Sequence, residues 1–295
     1  MLAQSRVLCR QLAAFVPPVI SSHASNIADG KLTLDGTKLT LKDLVAAGKD
    51  PDMGVEIAEG NWDRIIECRK LVDEFSTGSK IIYGINTACG SLVDRMLPRE
   101  TLEAFQPNLV RTVSTQVGEP FSDDIVRMTM IARANSLCRG RSGIQPINMN
   151  VYMDMINKHV LPVIPQKGSL GTSGDLGPLG CVALVCMGEW KAKYGGEVMS
   201  GKEAMDSADI TPMELQSKEG LSLINGTSCS VSLAASVTHR AITSIKTSDA
   251  IASLSIQALH GRENPFHLLV HEQKYHPGQY ATAGNLCKLL EGGSL

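Results

Sequence analysis

Residues 168–180 read Gly168-Ser169-Leu170-Gly171-Thr172-Ser173-Gly174-Asp175-Leu176-Gly177-Pro178-Leu179-Gly180, and this glycine-rich stretch decides how the rest of the chain is interpreted. An apolar run follows it, from Cys181 to Trp190. Thr172, Ser173 and Asp175 are residue types that cap helix N-termini, so the loop is predicted to lead into a helix. A capped helix start is the ordinary meaning of such a loop.

The Thr172-Ser173-Gly174 triplet also permits a specific reaction. If the chain bends back, the backbone nitrogen of Gly174 can attack the carbonyl carbon of Thr172. Ring closure releases one water, and loss of the Ser173 hydroxyl as a second water leaves an exocyclic methylidene. Gly174 has no Cβ to oppose the bend, and Thr172 contributes only its carbonyl. The same triplet therefore suits a helix start and an internally formed electrophile.

The whole stretch resembles the signature of the aromatic amino acid ammonia-lyases and 2,3-aminomutases, which depend on 4-methylidene-imidazol-5-one (MIO). A match of this length is far more specific than a lone glycine-rich motif. The commoner triplet there is Ala-Ser-Gly. The Thr-Ser-Gly variant followed by Gly-Asp-Leu-Gly-Pro-Leu is most similar to bacterial phenylalanine aminomutases. The resemblance implies that MIO forms autocatalytically from Thr172-Ser173-Gly174, without a metal or nucleotide cofactor.

A second segment, Tyr83-Gly84-Ile85-Asn86-Thr87, resembles the mobile inner loop of this family. The resemblance implies that Tyr83 is the catalytic base that removes the β-proton of the substrate. A free phenol has a pKa of about 10, so its surroundings must favour the phenolate. From its local pattern alone, the run beginning at Ile81 is predicted to be a short strand. Cys89 stands where the family usually has an aromatic residue, and is a candidate for one wall of the ring pocket.

The segment Asn108–Val113 resembles the part of these enzymes that selects the substrate ring. Histidine ammonia-lyases and tyrosine-specific members carry a polar histidine here, whereas this chain has Thr112 and Val113. An apolar ring is the better guest, because an unpaired hydroxyl in an apolar pocket costs free energy. The resemblance implies a substrate-binding set formed by Cys89, Leu109, Thr112, Val113, Leu176 and Leu221.

The third segment is Leu221-Ser222-Leu223-Ile224-Asn225-Gly226-Thr227. Asn225-Gly226 alone is a turn signal. The resemblance implies that Asn225 lies beside the prosthetic group and holds the substrate. Thr227 or Ser228 is then predicted to cap a long helix.

The composition excludes several classes of function. The 295 residues are 43% hydrophobic and 20% charged, which is enough for a large core in one or two domains. A net charge of -2 and an aromatic content of 4% indicate neither a nucleic-acid binder nor a membrane-surface protein. The eight cysteines form no C-x-x-C pair, which is typical of reduced core thiols. A cytoplasmic location is therefore expected.

Residues 1–31 are predicted to be an N-terminal extension, either disordered or targeting. Residues 1–28 contain Arg6, Arg10, several serines and no acidic residue, so an organellar transit peptide stays an alternative. Residues 32–295 are predicted to hold the MIO-bearing domain and the start of a helical bundle. The expected fold class is mainly α: the N-terminal part of the ammonia-lyase (fumarase/aspartase-like) helical fold, with a few short hairpins and a truncated central bundle. One hairpin is expected at Leu32–Leu41, around Asp35-Gly36.

The resemblance covers residues 32–285 and only the first half of a family member. In the family the other half supplies further active-site groups, and each site is assembled from three subunits of a homotetramer. The expected function is MIO-dependent elimination of ammonia from an aromatic L-amino acid, or a 2,3-amino shift on it. Phenylalanine, giving cinnamate or β-phenylalanine, is favoured over histidine and tyrosine. The alternative is a catalytically impaired fragment, or a non-catalytic homologue that acts as an assembly partner.

Overall fold

The structure is a computed structural model that describes residues 25–90, 95–274 and 276–293. Its backbone divides into two compact units, one comprising Ala24–Val237 and the other containing Thr238–Leu295. Most of the predicted N-terminal extension lies outside the described residues, and its end at residue 31 stays a prediction.

Helices dominate the described residues, as the sequence predicts. They are α1 (Leu41–Lys49), α2 (Glu59–Thr77), α3 (Arg99–Val113), α4 (Asp123–Leu137), α5 (Pro146–Asn157), α6 (Leu176–Cys186), α7 (Gly201–Ser207), α8 (Glu219–Ile224), α9 (Ser228–Ala258), α10 (Leu268–His271) and α11 (Pro277–Leu290). The strands are β1 (Ile27–Ala28), β2 (Lys31–Leu34), β3 (Gly54–Ile57), β4 (Val117–Pro120), β5 (Leu161–Pro162), β6 (Pro165–Lys167), β7 (Lys191–Tyr194) and β8 (Glu197–Ser200). Helix α9 begins in the first unit and continues into the second.

Helix α4 lies at the centre of the core of the first unit. Met128, Met130 and Ile131 are fully buried there, and α4 packs against α1 and α5. A helix that buries residues on nearly all of its faces must be surrounded by other elements. Burial of each of these side chains contributes about 1.5–3 kcal/mol to the stability of the unit.

The hairpin predicted at Leu32–Leu41 is wrong, and the chain reverses earlier. Asp29 and Gly30 both have positive φ, 49° and 73°, which suits a two-residue turn between the antiparallel strands β1 and β2. Strand β2 then pairs in parallel with β3. At the predicted turn, the Asp35 carboxylate accepts hydrogen bonds from the backbone nitrogens of Thr37 and Lys38, both at 2.8 Å. That local turn ends the strand and directs the chain towards α1.

Two further sheets are small and antiparallel. Strand β4 pairs with β6, and β5, β7 and β8 form a sheet in that order. The β7–β8 hairpin turns at Gly195 and Gly196, whose φ angles are 60° and 90°. Strand β6 matters for function because it delivers the chain directly to the glycine-rich loop at Gly168.

The second unit consists of the later part of α9, a short 3₁₀ turn at Asn264–Phe266, α10 and α11. Leu268 on α10 and Leu286 on α11 are buried, and Asn285 Nδ2 donates to Asp249 Oδ2 at 2.8 Å. Across the residues that the structure describes, no helix has the length and apolar character needed to cross a membrane.

Candidate active site

The Thr172-Ser173-Gly174 triplet forms a reverse turn between β6 and α6. Gly174 N donates to Gly171 O at 3.0 Å. Ser173 and Gly174 have positive φ, 55° and 90°, which a non-glycine residue such as Ser173 rarely adopts. Thr172 and Ser173 are both exposed. The chain is therefore bent back at Ser173, with the Ser173 side chain free to react.

The turn is held against Gly226, the residue after Asn225. Asp175 N donates to Gly226 O at 2.7 Å, and Gly174 pairs with Gly226 in an isolated parallel bridge. A Cβ at Gly174 would lie 2.3 Å from Gly226 O, so only glycine allows this approach. The structure thus brings together the triplet and the Asn225-Gly226 turn, two of the predicted catalytic segments.

Asp175 has a different role from the helix cap that its position suggests. Although it precedes α6, its side chain makes no capping hydrogen bond to that helix. The buried carboxylate instead accepts from Ser230 N at 2.8 Å and from Ser230 Oγ at 2.6 Å. Since Ser230 lies in the first turn of α9, Asp175 caps a helix that begins 53 residues later in the chain. This bond ties the end of the triplet loop to the start of α9.

Gln116 supports the loop from its other side. A Cβ at Gly177 would lie 1.4 Å from Gln116 Nε2, and one at Gly168 would lie 3.1 Å from the same atom. The Gln116 side chain is buried, and the Cys181 thiol donates to its Oε1 at 3.7 Å. The two glycines thus leave room for a side chain that spans the base of the loop.

Tyr83 lies in a series of turns, so the strand predicted from Ile81 is wrong. Asn86, which is fully buried, accepts from Ile82 N at 2.8 Å and donates to the backbone carbonyl oxygens of Phe75 and Lys80 at 3.2 and 2.8 Å. These side-chain bonds replace the strand ladder that the apolar residues suggest.

Tyr83 itself is 51% exposed, and its side chain lies near the Cys89 thiol. Burial raises the pKa of Cys89, whereas the neighbouring side chains of Tyr83 and Lys218 act in the opposite direction. The structure therefore brings together the proposed base and Cys89, which is predicted to form a wall of the ring pocket.

The Tyr83 loop packs on the segment that carries Leu221. A Cβ at Gly84 would lie 2.5 Å from Leu221 Cδ2, and Ser217 Oγ donates to Ile85 O at 2.5 Å. Leu221 is one helical turn before Asn225. Helix α8 therefore connects the loop that carries Tyr83 to the Asn225-Gly226 turn, which contacts the triplet.

The remaining predicted ring residues lie on α3 and α6, which pack against each other and against α8. Leu109, Val113 and Leu176 are half-buried and pack on the core. Thr112 is exposed, and its Oγ1 donates to Asn108 O in its own helix at 2.7 Å. Helix packing thus groups the apolar candidates, whereas Thr112 occupies the open face of α3.

Two residues that the sequence did not single out lie beside the triplet loop and the Asn225-Gly226 turn: Gln116 and Arg133. Arg133 is 4% exposed, and its Nη2 donates to Ser222 O on α8. A sequence signal for it exists, because a charged residue within the apolar run of α4 must have a buried partner. In the described ranges, the side chains form no group of three or more His, Cys, Asp or Glu that could hold a metal ion.

The comparisons with known proteins agree with this geometry. The sequence profile of the family described as aromatic amino acid lyase matches residues 39–295. Histidine ammonia-lyase of Alkaliphilus oremlandii is 42% identical over 264 residues, which are 90% of this chain and 52% of that protein.

Solved structures give the same result. Phenylalanine aminomutase of Pantoea agglomerans superimposes with a TM-score of 0.82 at 39% identity, covering 88% of this chain and 50% of that chain. For histidine ammonia-lyase of Trypanosoma cruzi the TM-score is 0.80 at 33% identity, with 87% and 50% covered. This chain spans about half the length of the relatives that it matches. The chain belongs to the aromatic amino acid lyase family, as the sequence predicts, and its mainly α fold is that of the ammonia-lyases and aminomutases.

Proposed function

We propose that this chain carries the electrophile-forming part of an ammonia-lyase or aminomutase that acts on an aromatic amino acid. The observation that carries the proposal is the reversed Thr172-Ser173-Gly174 turn, fixed to the Asn225-Gly226 turn by the 2.7 Å bond from Asp175 N to Gly226 O. A loop that only started a helix would need neither the positive φ of Ser173 nor the contact with Gly226.

The residues of the triplet fit an internally formed MIO group. Ser173 is exposed and can lose its hydroxyl as water, while Gly174 N becomes bonded to the carbonyl carbon of Thr172 with loss of the second water. The group, once formed, would supply an electrophilic methylidene that makes the substrate amine a better leaving group. Asn225 ends α8 with its side chain exposed beside the triplet, where it can orient the substrate.

Tyr83 is proposed as the base that removes the β-proton. Its 51% exposure makes the phenol accessible to a substrate. General-base catalysis typically raises a reaction rate by about 10²–10⁴-fold, so removing the Tyr83 hydroxyl should lower the rate by a factor that is easily measured.

For the substrate we propose phenylalanine, with histidine as the second candidate. Phenylalanine is supported by the apolar residues Leu109, Val113 and Leu221, and by the absence of a histidine at positions 112 and 113. Histidine is favoured by the curated relatives, since the first of them are named histidine ammonia-lyases at 37–42% identity. The Thr112 hydroxyl, which donates to Asn108 O, still has an oxygen able to accept from an imidazole N–H.

We also propose that the active protein is a homotetramer, by analogy with the family, and that its sites need groups beyond those of this chain. A catalytically impaired fragment that serves as an assembly partner is the other candidate. The observation that would favour it is the exposed apolar face of α9 in the second unit, including Leu254 at 67% exposure.

The first test is the mass of the tryptic peptide that contains the triplet, Gly168–Lys191. We expect a deficit of two waters. An unmodified mass would contradict MIO formation and support the assembly partner. The second test incubates the protein with L-phenylalanine and, separately, L-histidine, and follows the unsaturated acid by its ultraviolet absorbance. Product from phenylalanine alone supports our assignment, and product from histidine alone overturns it.

A further inference from the structure

Arg133 is a buried cation that has no acidic partner in the part of the chain that the structure describes. It lies in α4, and the ion pairs found among the described residues do not include it. The titratable groups near it are the Tyr152 phenol, which stays neutral because burial raises its pKa, and the Lys218 amine. Its Nε has no hydrogen-bond partner among the described residues. A guanidinium remains charged even when burial lowers its pKa. The free-energy cost of burying the Arg133 charge must therefore be offset by its contacts or justified by a function.

Two contacts of Arg133 lead towards the triplet. Nη2 donates to Ser222 O in the last turn of α8. Nη1 occupies the space beside Gly226, because a Cβ at Gly226 would lie 2.4 Å from this atom. The guanidinium therefore fills the gap behind the Asn225-Gly226 turn.

Gly226 is the only residue between Arg133 and the triplet turn along this line of contacts. Arg133 touches Gly226 at one point, and the Gly226 carbonyl accepts from Asp175 N at another. A displacement of the guanidinium would thus pass directly to the bond that fixes Gly174 and Asp175.

We propose that Arg133 is the positioning residue that holds the Asn225-Gly226 turn against Thr172-Ser173-Gly174 and so sets the geometry in which the triplet cyclises. This inference rests on the proposed function for its chemical consequence, but the positioning itself is a property of the fold. Arg133 acts through Gly226 and touches no reacting atom.

The same helix provides a matched control, Arg127. It is 2% exposed, and like Arg133 it donates only to backbone carbonyl oxygens, those of Ala47, Ile156 and Met53 at 2.8, 2.5 and 2.6 Å. These partners lie on α1, α5 and the segment before β3, not at the triplet. Arg127→Met therefore reports the general cost of losing a buried arginine from α4.

The experiment compares wild type, Arg133→Met, Arg133→Lys and Arg127→Met by amide hydrogen exchange and by the mass of peptide Gly168–Lys191. In Arg133→Met we expect the hydrogen-exchange rate of the Asp175 amide, divided by that of the Ile131 amide, to rise about tenfold or more above its wild-type value. This is the factor expected when one hydrogen bond to a charged group is lost. The water-deficient fraction of the peptide should fall with it. Arg127→Met should leave both values unchanged, and Arg133→Lys should restore part of each, since lysine keeps one donor.

The outcomes separate this inference from the proposed function. Equal changes at the Asp175 amide in Arg133→Met and Arg127→Met would overturn the positioning role. A wild-type peptide of unmodified mass would contradict the proposed chemistry, while the exchange of the Asp175 amide would still decide the role of Arg133.

Discussion

The substitution Gly174→Ala tests the close contact between Gly174 and the Gly226 carbonyl, on which the candidate site depends. The added Cβ would lie 2.3 Å from the oxygen and 2.6 Å from the carbon of the Gly226 carbonyl, and 3.0 Å from Thr227 Cγ2. Backbone atoms cannot rotate away as a flexible side chain can, so we assign an overpacking cost of about 1–3 kcal/mol. The positive φ of 90° adds roughly 1–2 kcal/mol for a residue with a side chain. The total is about 2–5 kcal/mol.

Gly171→Ala is the matched control, because it lies in the same turn with a φ of 76° but has open space around the added Cβ. Its cost is only the conformational part, roughly 1–2 kcal/mol. At about 2–4 °C per kcal/mol for a unit of this size, Tm should fall by about 2–8 °C in the control and by about 4–20 °C in Gly174→Ala.

The chemistry distinguishes the two variants further. Alanine at position 174 keeps the backbone nitrogen that attacks Thr172, so only the geometry of the turn changes. We expect Gly174→Ala to abolish the loss of two waters from the peptide Gly168–Lys191, while Gly171→Ala retains it. Tm would be measured by circular dichroism and water loss by mass spectrometry. Equal Tm values together with equal water loss would refute the reasoning from the Gly226 contact.

Three further predictions use other parts of the structure. Asp175→Ala and Ser230→Ala should not add in a double-mutant cycle: urea unfolding should give a coupling of about 1–3 kcal/mol, and strict additivity would show that the bond from the Ser230 hydroxyl to the Asp175 carboxylate contributes nothing to stability. Burial raises the pKa of Asp43, but hydrogen bonds from Ser25, Thr40 and Asn26 outweigh it and hold the pKa below 3.8. Because the folded-state pKa of Asp43 is lowered, wild type should be more stable than Asp43→Asn above about pH 5, and this difference in unfolding free energy should diminish as the pH falls below 3.8. A difference that grows on acidification would contradict this expectation. Tyr83→Phe should reduce formation of the unsaturated acid by about 100-fold or more while leaving the peptide mass deficit intact, and full activity of this variant would exclude Tyr83 as the base.

The sequence predicts the features that depend on near neighbours in the chain. Helical periodicity predicts helices over residues 61–75 and 123–138, close to the observed limits of α2 and α4. Thr40 is a residue type that caps helices, and it caps α1 by accepting from Asp43 N at 3.1 Å. The turn of the triplet is closed locally too, by the bond from Gly174 N to Gly171 O at 3.0 Å. Such features need no knowledge of what packs against them.

The wrong predictions depend on distant partners. The residues of β2 alternate as a hairpin strand would, but its partners are β1, which precedes it, and β3, which lies beyond α1 and pairs with it in parallel. The apolar run at Ile81 and Ile82 suits a strand, yet the buried side chain of Asn86 satisfies the backbone and produces turns. In both cases the local pattern allows two structures, and a contact outside the pattern selects one.

The roles of Asp175 and Arg133 could not be predicted from the sequence either, because both depend on partners that are distant in the chain. Together these roles explain how two charged side chains remain buried beside the triplet. Asp175 accepts from the first turn of α9, and Arg133 donates to a carbonyl in the last turn of α8. Helix N-termini present unpaired N–H groups and helix C-termini present unpaired carbonyl oxygens, so each charge meets the helix end of complementary polarity. Asn225-Gly226-Thr227 connects those two ends. The triplet is therefore docked on a helix–helix junction whose two free ends are satisfied by opposite charges, and moving either charge should loosen the same contact at Gly226.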